Sequence, residues 1–247
     1  MKPIIKLNLG LIFLAAAYFF IRLIGISDIP LTIWQQVYYG NVIKNTVFLC
    51  ISFYLIYYLF NYLRLNPKTG PTIIPARILK TGLIIFLILI WSAIAIHTVF
   101  DSLKIILPFN HLPLYIFSEL MDETIAHLFM FLPTIGLFYL AALLEIERPL
   151  PVKLNFPEKF LIIITGFILG GFWGLNLSEG RLSLITSLPL MIIFAFLIII
   201  LRKKYSLKFS FRPWTLFSLI GSVSGSLGFS LWTLFFHSTP ELFMVLK

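Results

Sequence analysis

The chain has 247 residues, of which 60% are hydrophobic and 12% charged. A soluble domain carries about 25% charged residues and could not hide this much apolar surface. Disorder is excluded by 26 Phe, 10 Tyr and 5 Trp, which leaves an integral membrane protein. A net charge of +9 does not point to nucleic acid, because Lys and Arg stand in short clusters between apolar runs. The single cysteine, Cys50, forms no internal disulfide and no cysteine-based metal site.

In chain order, the apolar runs predict seven transmembrane helices over about 7–26, 45–63, 79–101, 114–146, 159–178, 183–201 and 214–237. The first follows Lys2 and Lys6 and contains Ala15-Ala16-Ala17, as a secretory signal would. Its apolar run continues through Ile24, long enough to be a retained span. The fourth is too long for one straight crossing, since 33 residues rise roughly 50 Å against a core of about 30 Å. Pro133 is a candidate kink within it. The fifth carries Gly166, Gly170 and Gly174, and the seventh Gly221, Ser222, Gly225 and Ser226, spacings that let helix backbones approach closely in lipid. Trp173, Trp214 and Trp232 lie near span ends, where interfacial anchors sit. The expected architecture is all-α: one polytopic bundle over residues 1–247 with no separate soluble domain.

Fourteen of the 19 basic residues fall on one side: Lys2, Lys6, Arg64, Lys68, Arg77, Lys80, Arg148, Lys153, Lys159, Arg202, Lys203, Lys204, Lys208 and Arg212. The positive-inside rule makes that side cytoplasmic, with the N-terminus inside and the C-terminus outside the cell membrane. Seven of ten acidic residues and all four histidines fall on the other half; the polar chemistry is therefore expected on the extracytoplasmic side.

The third span ends with His97 and Asp101, four residues apart and so on one helix face. The fourth begins with Glu119, Asp122, Glu123 and His127; at 100° per residue Glu119, Glu123 and His127 share a stripe. Ionisable groups within a span cost roughly 2.5–3.5 kcal/mol each at mid-membrane, so this many on two consecutive helices need pairing, water or a cation. Mixed imidazole and carboxylate on neighbouring helices suits a divalent metal, and without thiolate the chemistry favours zinc or non-haem iron, with manganese a further candidate. The expected ligands are His97, Asp101 and His127, with His237 from the end of the seventh span as a fourth. Glu123, one turn from His127, is the expected general base. Glu119 and Asp122, with Asn176 and Arg181 from the turn between the fifth and sixth spans, are expected to line the substrate side, Arg181 as an anion contact.

These residues fit a metal-dependent hydrolase acting on a lipid-like substrate within the membrane. The alternatives are a transporter or sensor that binds a metal ion or a proton at the same residues, and a non-catalytic assembly subunit. The inner halves of the spans carry few ionisable groups, which argues against a continuous polar path. Membrane lipid is the expected partner in every case.

Overall fold

The structure, a computed structural model, describes residues 64–66, 68–107, 112–151, 153–179 and 181–236, with the isolated positions 57, 60 and 61. The predicted span 7–26 lies outside the described residues, as does nearly all of 45–63. Among the described residues the chain is helical, with no strand. Helix α1 is Ala76–Ile106 and α2 is Leu112–Glu119; a π-helical segment, Leu120–Ala126, then runs into α3, His127–Glu147. Helix α4 is Phe156–Glu179, α5 is Arg181–Tyr205, a 3-10 turn is Phe209–Phe211, and α6 is Pro213–Phe236. Each described α-helix overlaps an apolar run that predicts it. Three helical stretches of described residues are long and apolar enough to cross a membrane: Arg77–Phe100, Leu112–Glu147 and Pro213–Leu231.

The helix boundaries follow local chemistry. Helix α4 opens on a capping box in which Asn155 Oδ1 accepts the Glu158 N–H at 2.9 Å and Glu158 Oε2 accepts the Asn155 N–H at 2.9 Å. Helix α6 opens on Pro213, whose missing N–H is no loss at a first helical position. Its next orphan donors are met from outside: Glu145, fully buried on α3, accepts the Thr215 N–H at 2.8 Å and the Thr215 hydroxyl at 3.0 Å. Helix α5 ends with Ser206 at φ 49° and the Leu207 N–H donating to Arg202 O at 3.1 Å, the hydrogen bond of a Schellman motif.

Among the described helices, α3 packs against α1, α5 and α6. One face packs Ala141 and Leu144 against Ile162, Leu216 and Phe217; the other packs Ile135, Tyr139 and Ile146 against Met191, Phe194 and Ile198. The Tyr139 and Phe194 rings stack 3.5 Å apart, and the Tyr139 hydroxyl shares a 2.8 Å hydrogen bond with Ser222 Oγ. Among the described helices the most extensive pairing is α4 on α6, where the expected small residues meet. A Cβ on Gly170 would collide with the Gly221 backbone and Ser224, and one on Gly225 would sit 2.7 Å from Gly170 O. In lipid, where apolar burial gives no preference for a neighbouring helix, such backbone proximity supplies the association. Trp214 departs from the expected interfacial position. It is 3% exposed, packed between Phe138 and Phe217, because the turn before α6 folds its ring back against α3.

Two contacts position the polar site. Gly136 on α3 leaves room for the ring of Phe86 on α1, and Gly82 lets Leu140 Cδ1 approach, so the two helices lie close. Eleven residues further along α1 is His97, and nine residues back along the antiparallel α3 is His127. Those displacements are roughly 16 Å and 14 Å, so the Phe86–Gly136 register delivers the two imidazoles to the same level. The long rod Leu112–Glu147 passes Pro133 without a break in helix; its irregularity lies earlier, in the π turns.

Candidate functional site

The site is built on α1, the π segment and the first turn of α3. His97 Nδ1 donates to Asp122 Oδ1, a hydrogen bond between side chains that are 14% and 1% exposed. His127 Nδ1 lies 2.8 Å from the Glu123 carbonyl oxygen. A carbonyl only accepts, so His127 carries its proton on Nδ1. The Glu123 carboxylate is 3.6 Å from the same nitrogen and about one-third exposed. The two imidazoles are neighbours, with ring centroids 5.5 Å apart and planes at 45°. Phe131 also lies against His127, ring centroids 5.7 Å apart and planes at 16°.

The π segment explains this arrangement. In an α-helix the Glu123 carbonyl would accept the His127 backbone N–H. Here that N–H turns to Thr124 O, and the Glu123 carbonyl oxygen stands within hydrogen-bond distance of the imidazole. Wider turns also change which residue faces α1. Equal steps of 100° put Asp122 off the stripe of Glu119, Glu123 and His127; in the π geometry Asp122 is fully buried and reaches His97 across the helix interface. Single-turn π irregularities recur at functional sites, and this one spans the residues that carry the site's charge.

Of the residues singled out from sequence, His97, Asp122, Glu123 and His127 come together. Glu119 closes α2 immediately before the π segment and is half-buried. Asp101 continues α1 one turn beyond His97, Asn176 lies in the last turn of α4, and Arg181 opens α5; their side chains are outside the described set. His237 lies outside the described residues altogether. The sequence set His97 beside Asp101 on its own helix, whose side chain lies outside the described set, and did not anticipate the contact with Asp122 across the interface. It also missed Phe131, whose signal was available: an aromatic four residues after a histidine on one helix face. Among the described residues, no three His, Cys, Asp or Glu side chains are grouped as metal ligands.

At the opposite end of the rod the carboxylates are structural. Glu145 caps α6. Glu147 Oε1 accepts the backbone N–H groups of Ile73 and Ile74 at 2.6 Å and 2.7 Å, and Lys68 Nζ stands 3.6 Å from Oε2. Arg148 completes the clamp on that connector, donating to Arg64 O and Asn66 O at 3.0 Å and 2.8 Å.

Compared with known proteins, the chain matches no family model, no curated protein and no solved structure.

Proposed function

We propose that this chain is a seven-span membrane protein, with its N-terminus cytoplasmic, whose extracytoplasmic His/carboxylate cluster binds a divalent metal and hydrolyses a lipid-like ester, amide or phosphoester. One observation carries the reading: both imidazoles commit Nδ1 to a protein acceptor, and their rings are 5.5 Å apart. Histidines that ligate metals usually donate the other ring N–H to a carboxylate or a carbonyl, the two partners found here. With Nδ1 protonated, a neutral imidazole keeps its lone pair on Nε2. Two imidazoles bound through Nε2 to one tetrahedral zinc, at about 2.0–2.1 Å, would hold their centroids roughly 5 Å apart. Asp101 and His237 are the candidates to complete the set, and zinc is favoured over iron or manganese.

In this reading Asp122 orients His97 rather than contacting substrate, because its carboxylate is buried against the imidazole. Glu123, partly exposed beside His127, accepts the proton of the attacking water. A zinc ion held by these residues would lower the pKa of its bound water to about 7. Glu119, Asn176 and Arg181 are assigned to the substrate side, with Arg181 as the contact to a phosphate or carboxylate.

Metal analysis of the full chain, purified in detergent without chelator, tests the proposal. One bound ion per chain is expected, lost in both His97→Ala and His127→Ala. A panel of lipid esters, amides and phosphoesters assayed against a Glu123→Gln variant then separates turnover from storage. Wild-type protein free of metal ends the hydrolase reading.

A second reading has its own observation. The His97–Asp122 pair, nearly closed to solvent beside His127, shares a proton between two side chains. A proton-binding transporter or sensor would then use the same residues, and metal-free protein that takes up protons in vesicles only with His97 intact would favour it.

A further inference from the structure

At the end of the bundle remote from the histidines, Ile199, Arg202, Lys203, Ser206 and Leu207 line an open groove of about 470 Å³. We infer that this groove is a binding site for the phosphate of an anionic phospholipid, whose acyl chains lie along α5. Three features support it. First, the charge is unopposed: no carboxylate among the described residues pairs with Arg202, Lys203, Lys204 or Lys208. Second, Arg202 is pre-organised. Its guanidinium carbon lies 4.8 Å from the centroid of the Phe209 ring, a cation–π contact that holds the charge beside the groove.

Third, Ser206 sits where a Schellman motif ordinarily places glycine. It holds φ 49°, a left-handed conformation that disfavours a side chain, and lines the groove beside the two cations. Strain kept at a site lined by charge is explained if the hydroxyl has work there, as a donor to the same phosphate. The acyl wall is continuous with the headgroup site: Ile192, Phe196, Ile199 and Lys203 follow one stripe of α5, and the three apolar members are exposed. The negative end of the helix dipole opposes an anion here. The Leu207 N–H occupies the Arg202 carbonyl, however, and two full charges outweigh a half charge spread over the last turn.

Native mass spectrometry of the full chain in uncharged detergent, titrated with phosphatidylglycerol or phosphatidylcholine, tests the site. The anionic lipid should be retained at least about tenfold more tightly than phosphatidylcholine. The double variant Arg202→Ala/Lys203→Ala should erase that preference. Ser206→Gly should raise the thermal midpoint, because the strain is gone, yet weaken retention about threefold. Arg77→Ala/Lys80→Ala, which removes two exposed cations at the start of α1, should leave retention unchanged. Equal loss in that control would show general charge attraction and overturn the proposal. So would equal retention of the two lipids, or displacement of bound lipid by inorganic phosphate alone.

Discussion

His97 and Asp122 are 25 residues apart and on different helical segments, yet one side chain donates directly to the other in a setting almost closed to solvent. A buried carboxylate beside an imidazole fixes both its tautomer and its plane. Under the metal reading proposed above, Asp122→Asn, which keeps the shape and an acceptor oxygen but drops the charge, should weaken metal retention by roughly 10–100-fold. Asp122→Ala should in addition destabilise the fold by about 1–3 kcal/mol, because the His97 N–H is left buried without its acceptor. Metal titration and thermal unfolding in detergent measure the two effects. Full metal affinity in the Asn variant would remove Asp122 from the site.

Glu145 makes a prediction at the other end of the same rod. It supplies to α6 the acceptors that the helix's own sequence lacks, through the Thr215 N–H and hydroxyl. Glu145→Ala should cost about 1–3 kcal/mol and speed amide exchange in the first turn of α6. Glu145→Gln retains one acceptor oxygen and should cost less. An equal loss in both variants would mean that charge, not the cap, is what α6 requires.

The small-residue seam can be probed with an internal control. Gly170 faces the Gly221 backbone, whereas a Cβ added to its neighbour Gly171 would meet nothing within 4 Å. Gly170→Ala should therefore destabilise by about 1–3 kcal/mol through forced separation of α4 and α6. Gly171→Ala should be neutral or stabilise by up to about 1 kcal/mol, since alanine favours the helix. Unfolding midpoints of the two variants, compared under one detergent condition, decide it.

Glu147 ties the connector before α1 to the end of α3 by two short backbone hydrogen bonds. Glu147→Ala should release residues 68–74 and make them the first site of limited proteolysis, while α3 itself stays protected. An unchanged cleavage pattern would mean that the contacts of Arg148 with Arg64 O and Asn66 O suffice to hold the connector.

The positions of the described helices were legible from the chain because spanning segments need about 20 apolar residues and breaks between them are polar or Pro-rich. The sequence also placed His97, Glu123 and His127 on neighbouring ends of consecutive spans, since antiparallel helices joined by a short connector must bring those ends together. The small-residue seam was readable for a similar reason: only glycine and its nearest substitutes permit that approach.

The partner of His97 was not legible. A reading at 100° per residue assumes one helix type throughout, and the pairing depends on seven π-helical residues, Leu120–Ala126, whose irregularity carries no mark in the sequence. Nor does composition say that Glu145 and Glu147, near the end of an apolar run, turn inward as caps and clamps rather than outward to headgroups. Periodicity and charge distribution are local or summed along the chain, and they determined which segments are helices and which ends are polar. Which carboxylate meets which imidazole is set by the angle and register between packed helices. That relationship exists only once Gly136 has admitted Phe86 and the rod has taken its wide turns.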